Sequence, residues 1–444
     1  MLARGQIAAE QRQRLMEAMI DLIGRQGYAS TTLAEVLTQA EVSHQVFYEH
    51  FANKRECFLA AYDAIVAEGI DRVEGAYRGA DVLKSPSAGL EALFEHILEN
   101  PPFARLVLVE IRAVGPAGIA RRDQLVGAYE RLVRGGLELP AGRGLIPNPL
   151  ARACVGGLLR VLSTRTQSGT PQMKALLPEL VNWSTSYYPA PAAVKAALQD
   201  PQPGPPYAGL VGGRAPGTLC PGSSDRRGVR HSRGLSRSFV VHSARDRILD
   251  AVANLTAAHG YPTLRVEDIA EQAGVSLHTF YEQFAGKEDA FLVAHEVGHR
   301  KGLAITERAY ESAFDWPTGV REGIAALFDF LATEPAFAHV ALVDALIATS
   351  RSAQRSDLAV AAIARLFVQG LKDAQSDSPL PSVTFDAIAG GIFELCLNYA
   401  GQGHIAELSE ILPVATYFAL APFIGIEEAG RVATEPVAVR LRRS

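Results

Sequence analysis

Two sets of residues have types and spacing that could do chemistry. The first is His295-Glu296-Val297-Gly298-His299, which satisfies H-E-x-x-H. On a helix that spacing puts two imidazoles on one face with a carboxylate beside them, the arrangement of a zinc site with a general base. A third ligand would have to come from Glu307 or Glu322, and neither is marked by the pattern. The chain also repeats internally, and the repeat places Tyr62, Asp63 and Val66 where these residues stand. Those side chains cannot bind zinc, so the motif is read as structural. There is no Gly-rich phosphate loop and no serine or cysteine in a nucleophile context. The expectation is no enzyme, no cofactor and no metal.

The second set occurs twice. Ser43-His44-Gln45 with Tyr48, His50 and Lys54 corresponds to Ser276-Leu277-His278-Thr279 with Tyr281, Gln283 and Lys287. Each serine can accept from the amides of a helix start, where phosphate is also favoured. His44, Gln45, Leu277, His278 and Thr279 then lie on a first helical turn, from which side chains reach base edges in a major groove. Lys54 and Lys287 are two of only seven lysines, yet they occupy the same place in both copies. A lysine at a helix amino terminus opposes the macrodipole unless an anion is near, so both are read as phosphate contacts.

These residues need elements to hold them. A shift of 233 brings Gly27-Tyr28 onto Gly260-Tyr261, Val42-Ser43 onto Val275-Ser276 and Phe47-Tyr48-Glu49 onto Phe280-Tyr281-Glu282 without a gap. With one more residue Phe103-Ala104 meets Phe337-Ala338 and Gly156-Gly157 meets Gly390-Gly391; with a second, Leu177-Pro178 meets Leu412-Pro413. The repeat spans nearly the whole of both halves, so each half is a complete domain and not a solenoid module. Leu15, Ala18, Met19, Leu22 and Ile23, like Ile248, Ala251, Val252 and Leu255, recur at helical spacing, closed by Gly27 or Gly260. Short helices Leu33–Ala40 and Val266–Ala273 follow, then turns at Glu41 and Gly274, then helices capped by Ser43 and Ser276. That is a helix-turn-helix. Phe103–Ile111, Leu150–Leu162, Ile324–Leu331, Ala359–Leu371 and Thr384–Tyr399 read as buried helices, and no alternating strand run is evident. The fold class is all-α.

Gly260-Tyr261, Ile269-Ala270, Ala273-Gly274-Val275-Ser276, Phe280-Tyr281, Phe284 and Lys287-Glu288 resemble the DNA-binding signature of the tetracycline-repressor (TetR/AcrR) family. The first half resembles it less fully, through Gly27-Tyr28, Thr32, Ala40, Val42-Ser43, Phe47 to Phe51 and Lys54. The resemblance implies two TetR-like units, each a three-helix reader with a helical effector and dimerisation core behind it. It implies a double-stranded DNA partner, a two-fold operator and a small-molecule effector of unknown identity. It also implies that the hydroxyls of Tyr48 and Tyr281 contact phosphates, as His50 would, with Gln283 in its place. Phe47, Phe51, Phe280 and Phe284 are core. Two departures stand out. Glu41 replaces the turn glycine, where a left-handed conformation costs on the order of 1–2 kcal/mol, and Arg265 replaces the cap that Thr32 supplies in the first half. They motivate an alternative, an effector-binding or protein-interaction module whose readers have degenerated.

Between the halves, residues 189–240 are rich in proline and glycine, apart from a short helix expected at Ala192–Leu198. Such a stretch cannot bury enough apolar surface to offset its ordering entropy. Its arginines, Arg214, Arg226, Arg227, Arg230, Arg233 and Arg237, leave two readings, a solvated spacer or a basic strap on a phosphate backbone. Over 444 residues the net charge is −5 with 48% hydrophobic content, which excludes an acidic disordered tail and a wholly basic nucleic-acid coat. Four cysteines without close spacing exclude a disulfide scaffold. No charged segment leads into an apolar one at Met1, and Val414 to Ile426 is too short to cross a bilayer. A cytoplasmic protein without membrane contact is expected.

The resulting domain plan is a reader at 1–62, a core at 63–188, the linker at 189–240, a second reader at 241–296, a second core at 297–428 and a tail at 429–444. The last two helices of each core, Leu150–Arg165 and Gln172–Tyr187 with Thr384–Tyr399 and Ala406–Ala419, are apolar enough for a four-helix interface. Gly156-Gly157 and Gly390-Gly391 would let backbones approach there. The chain is thus expected to be an intramolecular pseudo-dimer, its unlike readers addressing the half-sites of an imperfect palindrome about 34–36 Å apart. Repression relieved by an effector is the favoured outcome. Trp183, Trp316, Phe103 and Phe337 are aromatics that line an effector cavity or simply pack, and His96, Arg105 and His339 are polar residues on apolar segments, expected to find local partners.

Overall fold

The computed structural model describes residues 4–79, 85–135, 148–168, 173–187, 243–374 and 382–435. The linker at 189–240 with its expected helix lies outside them, as do Cys220 and the last nine residues. Among the described residues every regular element is helical. The chain divides into two compact units, Met1–Gln202 with Ser376–Leu395 and Pro413–Ser444, and Pro203–Gln375 with Cys396–Leu412.

In the first unit α1 (Arg4–Gln26), α2 (Leu33–Ala40) and α3 (His44–His50) form the head, followed by α4 (Lys54–Gly79). The helix breaks have visible causes. Gly27 ends α1 at φ 83°, and Thr32 opens α2 with a capping box in which the Glu35 amide donates to its hydroxyl and the Glu35 carboxylate accepts from the Thr32 amide. Leu15, Met19, Ile23, Val36, Phe47, Phe51 and Phe58 make the head's core, each essentially free of solvent. The boundary expected at 62 falls inside α4, so head and core share one unbroken helix.

Behind the head lie α5 (Ser85–Glu99), α6 (Pro101–Leu108), α7 (Pro116–Gly135), α8 (Asn148–Ser168) and α9 (Met173–Thr185). The helix expected over Phe103–Ile111 is broken at Val109, where α6 gives way to a 3-10 turn over Glu110–Val114.

Sequence halves and compact units do not coincide. The first unit is completed by α17 (Ser382–Gly401, through Leu395), α18 (Leu412–Ile424, from Pro413) and α19 (Ile426–Thr434), all from the second half. The α8 and α17 backbones approach closely: a Cβ on Gly157 would lie 2.4 Å from the Ala387 carbonyl oxygen, and one on Gly391 2.5 Å from that of Ala153. Only glycine fits. Beside the crossing Tyr187 stacks on Phe418 (ring centroids 5.1 Å apart), and the Tyr417 hydroxyl donates to the Tyr187 carbonyl (3.0 Å). The apolar run of α18 is buried core, with Val414, Ala415, Tyr417, Phe418 and Leu420 fully covered. The stretch expected as one helix over Ala406–Ala419 is a 3-10 segment, Ile405–Ile411, followed by α18. The final helix continues to Thr434, beyond the 428 boundary.

The second unit repeats the head with α10 (Ala244–His259), α11 (Val266–Ala273) and α12 (Leu277–Gln283). Its core is α13 (Lys287–Glu311), α14 (Trp316–Thr333), α15 (Pro335–Leu342) and α16 (Ser350–Ala374). Again one helix, α13, runs from head into core past the expected boundary at 296. Cys57, Cys154 and Cys396 are free thiols, all buried.

Candidate nucleic-acid interface

Local sequence sets the geometry of each reader. In the first head the left-handed turn falls on Glu41 (φ 53°, ψ 46°), the one non-glycine with positive φ among the described residues. In the second, Gly274 takes the same conformation (φ 62°, ψ 43°). Thus the departure at Glu41 leaves the turn intact and stores strain in it. The other departure is also visible: Arg265 gives α11 no side-chain cap.

After the turn, the Val46 amide donates to Ser43 Oγ (3.3 Å) and the Thr279 amide to Ser276 Oγ (3.0 Å). Phe47 and Phe280 anchor the recognition helices inward, both fully buried. One residue on, Tyr48 and Tyr281 point outward at 58% and 57% exposure, each edge-on to its neighbouring phenylalanine at 5.4 Å and 87°. Two sequences that differ at most recognition positions thus present a tyrosine in the same pose. Ser43, His44, Gln45, Ser276, Leu277, His278 and Gln283 are exposed as well.

Three expected contacts look different in place. The Thr279 hydroxyl hydrogen-bonds Ser276 Oγ (3.0 Å) and its side chain is half-buried, which removes it from the outward set. His278 Nε2 lies 3.3 Å from a Glu282 carboxylate oxygen, so an acid stands beside the second head's reading position. His50 is half-buried, with Nε2 3.5 Å from Gln11 Oε1.

The lysines have partners within the heads. Lys54 Nζ donates to the carbonyls of Tyr28 (2.9 Å) and Thr31 (2.7 Å) and lies 4.0 Å from the Tyr28 ring centroid. Lys287 Nζ donates to Leu264 (3.0 Å) and Pro262 (3.5 Å) and sits 5.0 Å from the Tyr261 ring. Loop carbonyls and a ring face supply the negative partner that an anion was expected to supply. Burial holds the Lys54 ammonium below the ordinary lysine value, against the pull of Glu35. Both lysines tie the start of the connecting helix to the loop that ends the first one.

Two further pairs act on the heads and were missed from sequence. Arg12 donates to the His50 carbonyl (3.4 Å) and covers the Phe51 ring, while Arg245 donates to the Gln283 carbonyl (3.2 Å) and covers Phe284. Each puts a cation at the carboxy end of a recognition helix, where the dipole favours it. The shift of 233 superposes them, which was the available signal. The second pair joins head to core: the Tyr28 amide donates to Glu110 (3.0 Å), itself paired with Arg105 (3.2 Å), and the Tyr261 amide donates to Asp344 (3.1 Å), itself paired with His339 (2.6 Å). Arg105 and His339 therefore find local partners, and those partners grip the heads. The buried His96 instead meets the Phe103 ring edge-on at 4.3 Å.

The H-E-x-x-H residues lie inside the second core. His295 and His299 hydrogen-bond each other through Nε2 (3.0 Å), and His299 packs against Phe337. Burial pushes both below the ordinary histidine value, His299 to about 4. Glu296 turns away to Arg300 (2.7 Å) and Arg355 (3.3 Å). Among the described residues no three His, Cys, Asp or Glu side chains are grouped to hold a metal.

The model of the bacterial regulatory proteins of the tetR family matches residues 15–61 and again 248–294, which are the two heads. Both heads thus match the DNA-binding region of that family. The HTH-type transcriptional regulator YerO of Bacillus subtilis is 25% identical over 104 residues, covering 23% of this chain and 36% of that protein. The TetR-like chain thus spans about a third of that relative. Solved structures similar to it include the fatty acid degradation regulator FadR from Bacillus halodurans, 20% identical with a TM-score of 0.37, covering 39% of this chain and 97% of that one. FadR from Bacillus subtilis in complex with stearoyl-CoA is 17% identical with a TM-score of 0.35, covering 39% and 96%. Each such structure corresponds to well under half of the tandem chain.

Proposed function

We propose that the chain is a tandem TetR-family regulator that binds one operator with two unlike heads, as a single-chain pseudo-dimer that represses transcription until a small molecule binds. The observation that carries the reading is the matched presentation of Tyr48 and Tyr281 on capped recognition helices, kept although the first turn differs, His44-Gln45-Val46 against Leu277-His278-Thr279. In this proposal His44 and Gln45 read bases at one half-site, and Leu277 and His278 at the other. Ser43, Tyr48, Ser276, Tyr281 and Gln283 lie along the phosphates, with His50 and Thr279 at the margin. Unlike side chains at matching positions call for an imperfect palindrome. An apolar cavity in the first core, lined by Tyr77, Leu93, Tyr129, Cys154, Leu158 and Trp183, supports an effector of low polarity. Of the four aromatics singled out from sequence, Trp183 alone lines it.

Selection of sites from random DNA with the full chain tests the reading. Two related but unequal half-sites are expected, His44→Ala with Gln45→Ala relaxing only one of them and His278→Ala only the other. A perfect palindrome, or equal effects on both half-sites, would refute it. The uncapped α11 and the Glu282 carboxylate beside His278 favour a second reading for that head alone, as a degenerate partner. A selected site with only one conserved half would establish it.

A further inference from the structure

The crossing of α8 and α17 carries a charge pattern as well as glycines. Arg152, Gly156 and Arg160 follow one another at steps of four on α8, and Asp386, Gly390 and Glu394 do so on α17, so each triplet shares a helix face. The two faces meet. A Cβ on Gly156 would lie 2.3 Å from Glu394 Cβ, and a Cβ on Gly390 would lie 2.3 Å from Arg160 Cβ. That is a reciprocal exchange about a local two-fold, with each glycine receiving the side chain four residues along on the opposite helix. The repeat makes Arg152 the counterpart of Asp386 and Arg160 the counterpart of Glu394.

At both positions, then, the first half is positive and the second negative. Glu394 is 1% exposed and accepts from Arg122 (2.8 Å) and Arg152 (3.2 Å); Arg152 also reaches Asp123 and Glu130. Burial raises the Glu394 pKa, but the two guanidinium groups more than offset it and hold the carboxyl below its ordinary value. On the reciprocal side burial raises the pKa of Asp386 while Arg165 and Arg160 draw it down. A true homodimer has the same residues on both faces and cannot divide charge in this way.

The geometry points to a partner-selecting surface: the basic α8 face accepts only an acidic α17 face, in this chain or in another copy of it, and rejects its own kind. Two α8 faces brought together would set Arg152 against Arg160 twice, and two α17 faces would set Asp386 against Glu394 twice. Like charges at a desolvated contact act as a repulsive element against the wrong pairing. A tandem chain has use for this, because pairing of first halves between neighbouring chains would leave second halves unmatched and propagate association. The inference rests on the pairing of halves in the reading above and not on DNA recognition, so its test contains no DNA.

Arg160 and Asp386 are half-buried and suit reversal in the full-length chain. Arg160→Asp and Asp386→Arg should each lower the thermal midpoint, and the double swap should recover most of the loss. Tagged and untagged chains are then co-expressed. The Arg160→Asp chain with the Asp386→Arg chain forms two fully matched contacts between chains, and should co-purify at least tenfold above wild type with wild type. Each variant alone gains one matched contact with its own kind, α8 on α8 or α17 on α17, and should also self-associate above wild type. A double swap no better than the single changes, a mixed pair no better than wild type with wild type, or no gain in self-association of either variant over wild type would each overturn the inference. Should a reversal fail to fold, Arg160→Gln and Asp386→Asn remove charge without reversing it, and both should increase co-purification of like chains. No increase would overturn it too.

Discussion

Replacing Lys54 by methionine separates two roles that the lysine could play. The change keeps the aliphatic stem against the Tyr28 ring and removes the ammonium that holds the Tyr28 and Thr31 carbonyls. A hydrogen bond to a charged group contributes about 1.5–3 kcal/mol, and a cation over a ring about 0.5–1 kcal/mol more. The ammonium is only partly desolvated, and methionine recovers some apolar contact. A net loss of about 2 kcal/mol in the local stability of the head follows. By the usual relation of 1.4 kcal/mol per factor of ten, that is about a 30-fold rise in the open population. Hydrogen exchange over α2, α3 and the start of α4 should quicken by that factor, with exchange in α13 unchanged. The salt dependence of DNA binding is the second measurement. A lost phosphate contact lowers the slope of log K against log salt by about 0.9, whereas a lost internal strut leaves it unchanged. A slope reduced by about one with unaltered exchange would refute the strut and restore the phosphate contact.

Three further outcomes are expected. Glu41→Gly should stabilise the first head by about 0.5–1 kcal/mol, the left-handed cost less the extra entropy of glycine, and Gly274→Ala should destabilise the second by a similar amount; urea midpoints check both. His295 and His299 have pKa values depressed in the folded state, so below about pH 6.5 the unfolded chain binds more protons and stability falls with falling pH. The stability tied to His299 is present in full above pH 6.5 and falls by up to about 3 kcal/mol by pH 4, so His299→Gln should flatten urea midpoints measured from pH 7.5 to 4.5. Gly391→Ala must push against the Ala153 carbonyl and the Phe418 ring, and should lower the thermal midpoint through overpacking of about 1–3 kcal/mol.

What could be read from sequence was whatever is local. Gly27, Gly260, Thr32, Ser43 and Ser276 act on backbone within a few residues, so their types alone located the helix ends of both heads. The internal partners of Lys54 were hidden for a related reason: helix position says that the ammonium needs a negative partner, but not that carbonyls 23 and 26 residues away can provide one. Arg12, Arg245, Glu110 and Asp344 work across gaps of 38 to 83 residues and carry no mark in their own neighbourhoods. The glycine pairs at 156–157 and 390–391 signalled a close approach correctly. The alternation of charge around them became meaningful only once the glycines were seen to face Glu394 and Arg160.

The first compact unit borrows its closing helices from the far end of the polypeptide. During synthesis its amino-terminal portion therefore emerges long before the segments that cover Tyr187 and Trp183. At about 5–20 residues per second, the roughly 230 residues between Tyr187 and Pro413 take on the order of 10–50 s to appear. Through that interval the α8 and α9 surface stands uncovered on the ribosome, and the unit begun first is completed last. Shortening the gene from its 3′ end would consequently injure the earlier-made body.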